Sequence, residues 1–141
     1  MGTVIEDLDD HEGYADRRLP DGQLAGGVWT YATREFTAYL AACGCGWQAT
    51  GEHPPTEEGE EAAVDQWMVE HAEPELARQA TRRHLALARV LAWLGSQAGR
   101  LDDPATLASV AGGLEQARGL LASVQRDLAR SAPQREADHG R

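Results

Sequence analysis

Cys43 and Cys45 are the only two cysteines in the chain, and they stand one residue apart in the run Ala42-Cys43-Gly44-Cys45-Gly46-Trp47. His53 and His71 follow, giving the spacing Cys-x-Cys-Gly-Trp-x5-His-x17-His. Two thiols and two imidazoles are the donor count and donor types of a tetrahedral structural zinc site. The glycines let the backbone turn tightly enough to aim both thiolates at one ion. A Cys43–Cys45 disulfide would close a very small, strained ring, so a redox pair is not the expected chemistry. The expected ligands for Zn2+ are therefore Cys43, Cys45, His53 and His71, with His11 as the reserve ligand. His84 reads as a packed helix residue that could replace one of them, and His139 as a bystander in a polar tail. Zinc fingers commonly place about two to four residues between paired cysteines; this turn has a single glycine there, a tighter knuckle.

A catalytic zinc would keep one position open and have a general base close by. Glu52 beside His53 and Glu70 beside His71 are the carboxylates available for that role. Neither sits in a His-Glu-x-x-His motif, and no deaminase-type cysteine pair, Walker loop or nucleophile elbow is present. Four protein ligands leave no open position, which favours a structural metal over a small zinc-dependent hydrolase.

The elements that must position these residues read as follows. Residues 1–22 are acidic and sparse in apolar anchors, and read as an N-terminal arm. Residues 28–33 and 36–43 are rich in β-branched and aromatic types, and residues 47–50 supply a short third strand, giving an antiparallel meander. Thr56 is an N-cap before Glu57, Glu58, Glu60 and Glu61, whose charge suits a helix N-terminus. Ala63, Val64, Trp67 and Met68 recur with helical spacing, and His71 lies one turn beyond Trp67. Pro74 is expected to end this helix and open the next, which runs to about residue 96. Asp103 and Pro104 start a third helix, where Leu107, Val110, Leu114, Ala117, Leu121, Val124 and Leu128 step by three and four. The short connection makes the last two helices antiparallel. The fold class is α+β: an arm (1–22), a zinc-knuckle meander with a docked helix (23–73), an antiparallel helical hairpin (74–131) and a disordered tail (132–141).

The chain has 141 residues, a net charge of −10, and neither lysine nor asparagine. Residues 1–74 carry 16 acids and 3 arginines, whereas residues 75–141 carry 7 acids and 10 arginines. The acidic part disfavours contact with phosphate through its own surface. Arg78, Arg82 and Arg89 on the second helix and Arg118, Arg126 and Arg130 on the third form a strip that could meet nucleic acid. No stretch has the apolar length of a membrane span or the pattern of a signal peptide, so a cytoplasmic location with reduced thiols is expected.

The segment from Cys43-Gly44-Cys45-Gly46-Trp47 through His53-Pro54-Pro55-Thr56-Glu57-Glu58-Gly59 to Trp67 and His71 resembles a pattern in small actinobacterial zinc-finger-like proteins. The resemblance covers about 30 residues and implies a zinc-binding unit with Cys43, Cys45, His53 and His71 at the matching positions; it carries no activity. The functional expectation is a non-enzymatic, zinc-stabilised interaction or regulatory protein, forming a homodimer or meeting a protein partner through its hairpin. The alternatives are a nucleic-acid-binding regulator using the arginine strip and, after it, a small zinc-dependent hydrolase.

Overall fold

The turn after Cys43 sets the register of the sheet. In the computed structural model, which describes residues 2–132, Gly46 takes a φ of 99°. That left-handed conformation favours glycine. The Gly46 N–H donates to the Cys43 carbonyl at 2.9 Å, and the Cys43 N–H donates to the Trp47 carbonyl at 2.9 Å. From this turn β2 (Ala38–Cys43) and β3 (Gln48–His53) run antiparallel, with Leu40 opposite Glu52 and Tyr39 opposite His53. β1 (Gly13–Arg18) pairs with the other edge of β2, from Gly13 opposite Cys43 to Arg18 opposite Ala38. The sheet order is β1-β2-β3, and the central strand is buried at every position, as its unbroken apolar run requires.

The first strand of this meander does not come from residues 28–33, as the sequence suggests, but from the segment read as an acidic arm. Two local features account for the exchange. Asp16 in β1 is completely buried, and its carboxylate accepts the N–H groups of Arg17, Gly26 and Gly27 at 2.9–3.2 Å. A charge satisfied by three donors can sit in a strand where an unpaired one could not. Meanwhile the Thr33 hydroxyl donates to the Val28 carbonyl and accepts from the Thr30 N–H, closing a loop with a 3-10 turn at Tyr31–Thr33. Such local side-chain bonds compete with sheet pairing.

Thr56 caps α1 (Glu57–Trp67) by accepting the Gly59 N–H at 3.2 Å. Replacing Thr56 with alanine is expected to lower stability by about 1 kcal/mol, read from the midpoint of urea unfolding. The helix docks through Ala63 and Trp67, both fully buried. Trp67 lies directly over the Gly13 backbone, where any Cβ would overlap the indole ring. Leu8, Ala15, Ala41 and Cys43 complete the centre of this core.

Pro74 does not terminate the helix, contrary to expectation. Proline removes a backbone donor and crowds the carbonyl one turn back. Here the preceding turn, Met68–Ala72, is widened to π geometry, with the Glu73 N–H bonded to the Met68 carbonyl. The widened turn takes up both effects, and α2 (Glu73–Ser96) follows without a loop.

The chain divides into two compact units, Met1–Ala77 and a second beginning at Arg78. In the second, α3 (Pro104–Ser131) starts at Asp103, whose carboxylate accepts both the N–H and the hydroxyl of Thr106 at 2.8 Å. Arg83 pairs with Asp127 at 2.8 Å, and Trp93 lies against Gly113, so α2 and α3 are antiparallel. The seam of α3 is rotated from the expected one. Gly113, Ala117 and Val124 are buried, whereas Leu107, Leu114, Leu121 and Leu128 are exposed. Gly113 offers no side chain to Trp93 and Leu94, so the small-residue side of α3 turns toward α2. The class is α+β as expected. The tail from residue 133, with His139, lies outside the described residues. Among the described residues no helix is long and apolar enough to cross a membrane.

Candidate metal centre

His11, Cys43, Cys45 and His71 converge at the end of the sheet, each offering one ligand atom and all four atoms within 4.8 Å of one another. The Nδ1 of His11 lies 3.0 Å from Nε2 of His71, Cys45 Sγ lies 3.3 Å from His71 Nε2, and Cys43 Sγ lies 3.8 Å from His11 Nδ1. Zinc–sulfur bonds of about 2.3 Å and zinc–nitrogen bonds of about 2.0–2.1 Å at tetrahedral angles require donor separations of roughly 3.3–3.8 Å. Two of these separations fall in that range and the His11–His71 pair is slightly shorter, so small side-chain adjustments would let the four residues hold one metal ion.

Each donor arrives by a different route. Cys43 is the last residue of β2 and Cys45 stands in the glycine turn beyond it. His11 precedes β1, and the Gly13–Cys43 register carries it to the same end of the sheet, where the Gly44 N–H donates to the Glu12 carbonyl at 2.8 Å. His71 belongs to the π turn, so the added residue per turn that accommodates Pro74 also sets the direction of the imidazole. Trp47 stacks on the His71 ring at 4.8 Å between centroids and 14° between planes, holding its orientation.

Cys43 and His71 are buried, His11 is half-buried and Cys45 is exposed. Burial pushes the Cys43 thiol above its usual range, while the Cys45 backbone N–H and the Trp67 indole N–H favour its thiolate. The indole nitrogen of Trp67 is buried without a hydrogen-bond partner, and its nearness to Cys43 works against the effect of burial on that thiol. A cation in the cluster would overturn the effect of burial, because a coordinating thiol loses its proton outright.

The structure brings three of the four residues singled out from the sequence, Cys43, Cys45 and His71, into this cluster, together with the reserve ligand His11. It does not bring His53 there. β3 runs away from the glycine turn, so His53 pairs with Tyr39, about 13 Å along β2 from Cys43. Its Nε2 is bonded instead to Gln66 Oε1 at 2.7 Å. His84 is exposed on α2, with Nδ1 3.2 Å from the Ala80 carbonyl. Of the carboxylates a hydrolase would need, Glu52 is ion-paired to Arg18 at 2.7 Å and Glu70 accepts from the Gln66 amide at 3.1 Å.

Nothing local in the sequence marks His11, which stands there only as the reserve ligand. Its place depends on the pairing of β1 with β2, and the one available signal was the glycine two residues later, which Trp67 needs. No protein-family model, curated protein or solved structure matches the chain, so the reading of its function rests on these residues themselves.

Proposed function

We propose that His11, Cys43, Cys45 and His71 hold one structural zinc ion, and that the chain is a non-enzymatic interaction or regulatory protein that pairs through its helical hairpin. The observation that carries this reading is the convergence of two thiols and two imidazoles, with their four ligand atoms within 4.8 Å of one another. Two nitrogens and two sulfurs in that geometry suit zinc, and four protein donors fill its coordination sphere, whereas catalytic zinc keeps a position for water. The ion would tie together three segments distant in sequence, the stretch before β1, the knuckle and the turn after α1. The resemblance to small zinc-finger-like proteins implies a zinc unit as well, with His11 here standing where that resemblance gives His53.

The test is removal of the metal. Chelation of the purified protein is expected to release one equivalent of zinc and to abolish the near-ultraviolet signal of the tryptophans around the knuckle, with return of both on adding zinc. Folding and metal binding are one equilibrium when the site does not exist in the unfolded chain. An unchanged spectrum after complete chelation would contradict a structural role.

Acidity gives a further check. The Cys43 thiol, raised by burial, is protonated at neutral pH without a metal, so zinc uptake expels its proton. Zinc affinity is therefore expected to rise with pH, by at least about tenfold per unit from pH 6 to 8, in competition with a chromophoric chelator.

A further inference from the structure

The hairpin has two unlike edges. On α3 the side facing α2 consists of Thr106, Val110, Gly113, Ala117, Leu120, Val124 and Asp127, the two interleaved rows of a heptad seam. One flank of that seam carries Ser109 and Gln116, which line a groove with Arg89 and Trp93. The other flank carries Leu107, Leu114, Leu121 and Leu128, spaced by seven and exposed by 49, 55, 48 and 58%. In an antiparallel helix pair, rows of the same heptad letter lie along the same edge. Leu91 of α2, 53% exposed, belongs to the row matching these leucines, so both helices offer apolar side chains on this edge.

We propose that this leucine edge is the surface through which two copies of the chain associate, as an antiparallel four-helix bundle about a two-fold axis near residues 117–118. The proposal rests on the pairing through the hairpin stated above and names its face, its partner and its direction. A row of four leucines at a strict seven-residue repeat, over about 32 Å of helix, fits a helix with the same repeat. In antiparallel register Leu107 meets Leu128 of the second copy, and Leu114 meets Leu121. A two-fold interface must be self-complementary, each patch meeting its own image, and these four leucines satisfy that condition.

Charge selects the same arrangement. Glu115 and Arg118 are exposed on the outer flank of the row, on either side of its centre. Antiparallel pairing sets like flanks against each other in reverse order. Glu115 of one copy then lies within a turn of Arg118 of the other, at both ends of the axis. Elsewhere on that flank Ala108, Ala111, Ala122 and Ala129 are small, and Gln125 is the one other long side chain.

The experiment is sedimentation equilibrium of the zinc-loaded full chain. A dimer is expected for the parent protein, and a monomer with unchanged helical content for Leu114→Glu combined with Leu121→Glu. Ser109→Glu with Gln116→Glu on the opposite edge is expected to remain dimeric. Glu115→Arg is expected to raise the dimer dissociation constant at least about tenfold, and addition of Arg118→Glu to restore it. A leucine double variant that stays dimeric would overturn this face while leaving the dimer standing. A parent chain that is monomeric at about 100 μM would overturn the pairing itself. A leucine variant that is monomeric together with a charge swap that has no effect would overturn the antiparallel arrangement.

Discussion

Cys43→Ser is expected to cost the protein its metal and, with it, the ordered structure of the first unit. Cys43 is the most buried of the four donors, at 2% exposure, and it is both the last residue of the central strand and a member of the core. A serine there would offer a hard oxygen in place of a soft thiolate. Loss of partners of metal ligands costs about 10–100-fold in affinity, and loss of a ligand itself is expected to exceed that. A unit of fewer than 80 residues has little core to fall back on. The measurement is zinc titration followed by near-ultraviolet circular dichroism. Cys45→Ser changes an exposed side chain that takes no part in core packing, so a loss of metal and of the near-ultraviolet signal there is expected to come from coordination alone.

Trp67→Ala is expected to destabilise the protein by about 3–5 kcal/mol. Its side chain is completely buried, it covers Gly13, and it closes the sheet against α1. That cost is a large part of the roughly 5–15 kcal/mol of stability ordinary domains possess. Trp67→Phe keeps most of the packing but removes the indole N–H beside Cys43. Its expected signature is a smaller loss of stability together with about tenfold weaker zinc binding. Urea unfolding at saturating zinc reads the first effect and chelator competition reads the second. Equal zinc affinity in the phenylalanine variant and the parent would show that Trp67 only packs.

What the sequence disclosed was whatever is local. The glycine turn, the Thr56 cap and the Asp103–Pro104 helix start are each specified within a few residues, and each appears where its chemistry places it. His71 was reachable because it falls one turn beyond Trp67 on a helix. The π turn that aims it was not, since its cause is a conflict between Pro74 and a helix that packing keeps going. β1 was hidden for a different reason. Asp16, Arg17 and Arg18 look like a solvated arm until the N–H groups of Gly26 and Gly27 are seen closing on the Asp16 carboxylate. The position of His11 depends on that hidden strand, and so could not be derived before it. His53 was drawn toward the cluster by sequence proximity, but six residues of extended β3 carry it to the far end. On α3 the repeat of apolar residues was legible, yet which half of it faces α2 was decided by Gly113 against Trp93.

Elemental analysis of paired variants reads whether four residues from three segments hold one metal ion. The parent and His53→Ala are expected to carry one equivalent of zinc each, and His11→Ala to lose it. Full zinc retention by His11→Ala, with loss in His53→Ala, would exclude His11 from the centre and put His53 in it.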